Sequence, residues 1–106
     1  MARVHKPARE LLKRLVEQFE RAAPVKLIMA RFKASDKTYG STSMAEDGTF
    51  IIKLDASQTD PESIDTICHE YAHVLTWGMD GDPEDHWHGS AWQVAYNRCL
   101  FTYFDW

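Results

Sequence analysis

Basic residues all but vanish from the second half of the sequence. Residues 54–106 carry Arg98 alone against ten acids, whereas residues 1–53 carry eleven Lys and Arg against six. The net charge of −4 therefore conceals two halves of opposite sign. Solvated charge is the commoner origin of such asymmetry, and a basic contact surface for nucleic acid is the rarer one. Cysteine is equally scarce: Cys68 and Cys99 are the two present, and both sit in apolar helical patterns. That usage excludes the disulfide framework of a small secreted domain and points to a reducing, cytoplasmic setting. The basic start, Met1-Ala2-Arg3-Val4-His5-Lys6-Pro7, leads into an amphipathic stretch rather than an apolar one, unlike a signal peptide. Nowhere does an apolar run reach the roughly 20 residues that span a bilayer, so no membrane partner is expected. Repeats, low-complexity tracts and long linkers are absent as well. With 106 residues, 44% of them hydrophobic, the chain can bury one modest core, and a single domain over residues 1–106 is expected.

From Pro7 to about Ala22, Leu11, Leu12, Leu15, Val16 and Phe19 recur at helical spacing opposite Arg9, Lys13, Arg14, Glu17 and Arg21, which predicts an amphipathic helix. Glu10 with Arg14 and Glu17 with Arg21 are spaced for i,i+4 ion pairs. Val25 to Phe32 runs almost continuously apolar, as a strand buried on both faces would. Tyr39 to Ala45 and Thr49 to Asp55 flank Glu46-Asp47-Gly48, where an Asp-Gly pair marks a hairpin. Asp60-Pro61-Glu62 reads as a helix start with Asp60 as cap and Pro61 at the first helical position. That helix should run to about Trp77, with Ile64, Ile67, Cys68, Tyr71 and Leu75 on one stripe and Gly78 ending it. Met79 to His88 reads as a polar loop, and Trp92, Ala95, Tyr96, Cys99, Leu100 and Tyr103 predict a last helix. The fold class is therefore α+β: an N-terminal helix, a three-stranded, mainly antiparallel sheet, a central helix and a C-terminal helix.

The chemistry concentrates in His69-Glu70-Tyr71-Ala72-His73. On a helix, residues four apart lie about 6 Å from each other on one face, so His69 and His73 can grip one ion. A catalytic zinc takes three protein ligands and keeps a position open for water, so a third ligand is required from elsewhere. Glu70 leaves the helix about 100° around from His69 and can lean over that open position as a general base. Two helical histidines can also be ordinary hydrogen-bonded residues; the intervening Glu and the histidines downstream favour the metal. His86 and His88, on the loop that follows, both have the reach.

The pairing of this helix with His88-Gly89-Ser90-Ala91-Trp92, at the entrance to the last helix, resembles the SprT-like zinc metallopeptidases. That resemblance implies a minimal zincin-like core, Zn2+ as cofactor, His88 as the third metal ligand beside His69 and His73, and Glu70 as the catalytic base. It also implies a protein or peptide substrate lying extended along the sheet edge, and adds DNA-associated proteins as a substrate class and nucleic acid as a partner. The family often carries a C-terminal zinc ribbon with paired cysteines; no such cysteines occur in this sequence.

Asp82, Glu84 and Asp85 are the acidic alternatives to His88 if the chain is closer to gluzincins of the ImmA/IrrE-like kind. Those place the acid on a following helix, where this chain has none before Asp105. A different class of reading is a non-catalytic, zinc-stabilised protein-binding module, in which His86 and His88 together close the site. Tyr71 and Tyr96 have phenols that suit an oxyanion, but their helical spacing places them in the core. Trp92 is expected to pack and Trp87 to flank the third ligand. His5 and Met79 are given no part in the site.

Overall fold

The structure, a computed structural model, describes residues 6–19, 24–30, 39–77 and 89–104. Helix α1 (Lys6–Gln18) forms where the periodicity predicts and buries Ala8, Leu11, Leu12 and Leu15. Pro7 falls in its first turn, where a missing N–H costs nothing. Val16, expected in the apolar stripe, lies at its margin and is exposed. On its outer face Lys6 pairs with Glu10 at 3.8 Å, contributing about 0.3 kcal/mol at such exposure.

Strands β1 (Val25–Ala30), β2 (Gly40–Met44) and β3 (Phe50–Asp55) make one sheet in the order β1-β3-β2. The β2–β3 hairpin is antiparallel, with Thr42 opposite Ile52. β1 runs parallel to β3, with Leu27 opposite Ile52. The sheet is therefore mixed, one ladder of each kind. β1 corrects one expectation: it is not buried on both faces but forms an edge, with Val25, Leu27, Ile28 and Met29 half-buried and Lys26 exposed. The central place goes to β3, whose Phe50, Ile52 and Leu54 alternate into the core. An unbroken apolar run cannot by itself tell a central strand from an edge strand covered on one face.

The hairpin turn is built as the Asp-Gly pair predicts. Gly48 has φ 90°, a conformation that glycine adopts at no steric cost. Its N–H donates to Ala45 O at 2.9 Å, Ala45 N–H donates to Thr49 O at 2.8 Å, and the Asp47 carboxylate accepts from Thr49 N–H at 2.9 Å.

Helix α2 (Asp60–Leu75) starts one residue earlier than the sequence suggests, and its cap is Thr59, not Asp60. The reason is a capping box. Thr59 Oγ1 accepts from Glu62 N–H at 3.3 Å while the Glu62 carboxylate accepts from Thr59 N–H at 2.9 Å, satisfying two donors where Asp60 would satisfy one. Pro61 consequently occupies the second helical position. The helix ends at Leu75 with Thr76 as its C-cap; Gly78, expected to end it, lies outside the described residues. Helix α3 (Ser90–Phe104) buries Trp92, Ala95, Cys99 and Thr102. No helix among the described residues is long and apolar enough to cross a membrane.

α2 is central because it has neighbours on three sides. Ile64, Ile67, Cys68, Tyr71 and Val74 join Leu11, Leu15, Phe50, Ile52, Leu54 and Cys99 in the main core, each large side chain contributing roughly 1.5–3 kcal/mol of burial. Ala72 packs with Trp92 and Ala95 of α3 in a second cluster. Its N-terminal half is also tied to the start of β2: Thr66 Oγ1 donates to Gln58 Oε1 at 2.9 Å and Gln58 Nε2 to Tyr39 O at 3.3 Å. The same Tyr39 carbonyl accepts from Asp55 N–H at 2.8 Å. Sheet register and helix position are thereby fixed to one another. Cys68 and Cys99 are both buried and unbridged; burial pushes the Cys99 thiol up to about 12 and raises Cys68 as well, the latter with help from Cys99.

Candidate active site

Where α2 passes β2, its side chains lie close against the strand at Gly40. A Cβ on Gly40 would lie 2.6 Å from Thr66 Cγ2 and 3.2 Å from Glu70 Cγ, so only glycine fits at that crossing. Two residues along the same strand face, Thr42 is buried and its hydroxyl lies 2.7 Å from Glu70 Oε1 and 3.1 Å from the Glu70 backbone carbonyl. The Glu70 side chain is only 8% exposed, and its other oxygen, Oε2, lies 3.9 Å from His69 Nε2. Burial pushes the Glu70 carboxyl up to about 7, against the lowering influence of the Thr42 hydrogen bond. A carboxylate with a proton affinity near neutrality is suited to accepting and returning a proton at physiological pH.

His69 and His73 lie side by side as their spacing requires, with ring centroids 5.1 Å apart at 71°. Their surroundings differ: the His69 side chain is 36% exposed and His73 is buried. Trp92 of α3 packs against both, its ring centroid 4.8 Å from His69 and 5.6 Å from His73, and Tyr96 stacks on Trp92 at 5.0 Å and 6°. Two imidazoles on one helix face beside a buried carboxylate are a donor set that suits zinc. Among the described residues no third His, Cys, Asp or Glu joins them in a metal-holding group. His88, expected as the third ligand, lies outside the described residues, as do its competitors His86, Asp82, Glu84 and Asp85, and also Trp87, Met79, His5 and Asp105.

The two tyrosines are committed elsewhere. Tyr71 is fully buried and its hydroxyl donates to Phe19 O at 2.8 Å, tying α2 to the end of α1. The Tyr96 hydroxyl donates to Asp65 Oδ1; partial burial and that carboxylate push its phenol well above the usual tyrosine range. Trp92 packs as expected and also donates from its indole N–H to His69 O at 3.2 Å. Sequence reasoning passed over Gly40 and Thr42. A glycine inside a strand pattern marks close approach of another backbone, and period-two alternation puts Thr42 on the same face, so the signal for both was present.

Residues 8–105 match the SprT-like family. No curated protein and no solved structure matches the chain.

Proposed function

The chain belongs to the SprT-like family, and from that premise we propose that it is a zinc-dependent metallopeptidase hydrolysing peptide bonds in protein or peptide substrates. The observation that carries the reading is the placement of the Glu70 carboxylate, buried and 3.9 Å from His69 Nε2, beside a histidine pair with ring centroids 5.1 Å apart. In this reading His69, His73 and His88 hold the metal. Zinc, when bound in such a site, polarises a carbonyl and makes a water acidic near neutrality. Glu70 Oε2 takes the proton of the attacking water and returns it to the leaving amine, a transfer for which its raised proton affinity is matched. Trp92 and Tyr96 form an aromatic wall beside the histidines, and Thr42 with Gly40 closes the opposite side of Glu70. A low-dielectric border of this kind strengthens charge interactions at the reacting atoms.

Elemental analysis of the wild-type protein and of His88→Ala and His86→Ala variants tests the metal assignment. One zinc per chain, lost with His88→Ala and kept with His86→Ala, is the expected result. Loss with either change would favour the closed, non-catalytic site instead.

A further inference from the structure

Glu70 has two chemically equivalent oxygens, yet the fold treats them differently. Oε1 is engaged by the buried Thr42 hydroxyl at 2.7 Å, whereas Oε2 faces His69 at 3.9 Å. The side-chain stem is confined as well: a Cβ on Gly40 would lie 3.2 Å from Glu70 Cγ, tighter than an ordinary contact. We propose that Thr42 is a positioning residue for the reaction: it anchors Glu70 Oε1 so that Oε2 alone is presented to the histidine pair, with Gly40 providing the room for this arrangement. The inference rests on the reading of Glu70 as the general base.

The hydroxyl also lies 3.1 Å from the Glu70 backbone carbonyl, so Thr42 stands against both the main chain and the carboxylate of Glu70. Thr42 belongs to β2 and Glu70 to α2, so the anchor also links base orientation to the strand that borders the site.

The test compares Thr42→Val, which keeps the shape and removes the hydroxyl, with Thr42→Ser, which keeps the hydroxyl. Thr42→Ala is the alternative if the valine variant does not fold. Zinc content, kcat and KM on fluorescein-labelled casein, and a crystal structure are determined for each variant. The expected result is unchanged zinc and KM, a fall in kcat of roughly tenfold to a hundredfold for Val or Ala, and restoration by Ser. In the crystal structures the carboxylate should rotate away from His69 in the Val or Ala variant and stay in place with Ser. A carboxylate unmoved by loss of the hydroxyl, or equal losses in the Ser and Val variants, would overturn the inference. If the wild-type protein shows no Glu70-dependent cleavage, the functional reading fails, and the crystal structures alone then decide whether Thr42 positions Glu70.

Discussion

The indole N–H of Trp92 donates to the backbone carbonyl of His69 at 3.2 Å, while the same ring flanks the imidazoles of both His69 and His73. A single side chain of α3 therefore holds the backbone of the histidine pair and packs against both of its rings. Truncating Trp92 to Ala should cost about 3–5 kcal/mol of stability in metal-free protein and weaken zinc retention by roughly tenfold or more. Trp92→Phe, which keeps most of the packing and loses the N–H, should cost about 1 kcal/mol. Thermal unfolding in chelator, followed by zinc titration against a competing dye, measures both. Equal zinc affinity in the Ala variant would show that the histidines need no support from α3.

The raised proton affinity of Glu70 fixes the sign of a pH effect. In metal-free protein burial pushes the carboxyl up to about 7 from its ordinary 4.5. The folded state therefore binds the proton more tightly than the unfolded state, and Glu70 favours folding at low pH. That contribution is complete below about 4.5, declines as pH rises towards about 7, and is constant above. Integrated across that interval, the loss is roughly 3 kcal/mol. Wild-type stability should thus fall relative to Glu70→Gln between pH 4.5 and 7, a difference that urea unfolding at a series of pH values reads directly. Parallel profiles for the two proteins would mean that Glu70 is not desolvated.

Tyr71 lies between the two histidines in sequence, yet its side chain is fully buried. Its hydroxyl serves the carbonyl of Phe19 in the core. Tyr71→Phe should lower stability by about 1–2 kcal/mol, seen in thermal unfolding, while kcat on labelled casein stays within about twofold of wild type. A large fall in kcat with unchanged stability would assign the phenol a role at the reacting atoms.

What could be read from the sequence follows from which signals are local. The helices, the hairpin and the histidine pair each rest on spacing within one segment. Accordingly α2 sets His69 beside His73, and Gly48 takes the positive φ that its turn needs. The cap of α2 falls one residue before Asp60 because Asp60 and Thr59 are both good caps, and only the reciprocal bond from Glu62 separates them. The edge position of β1 depends on the crossing of β2 to the far side of β3, a tertiary choice that no window of residues records. Gly40 and Thr42 carry a local signal of close approach, but which element approaches them is decided only once α2 lies across β2, 28 residues later for the Thr42–Glu70 bond.

Zinc content and casein cleavage of wild-type protein and Glu70→Gln, purified side by side, test the central claim most directly. Gln keeps the shape of the side chain and an oxygen for Thr42, and removes the proton acceptor. The account predicts equal zinc in the two proteins and a fall in cleavage of roughly 10²- to 10⁴-fold in the variant. Equal cleavage by both proteins, or zinc absent from both, would contradict it.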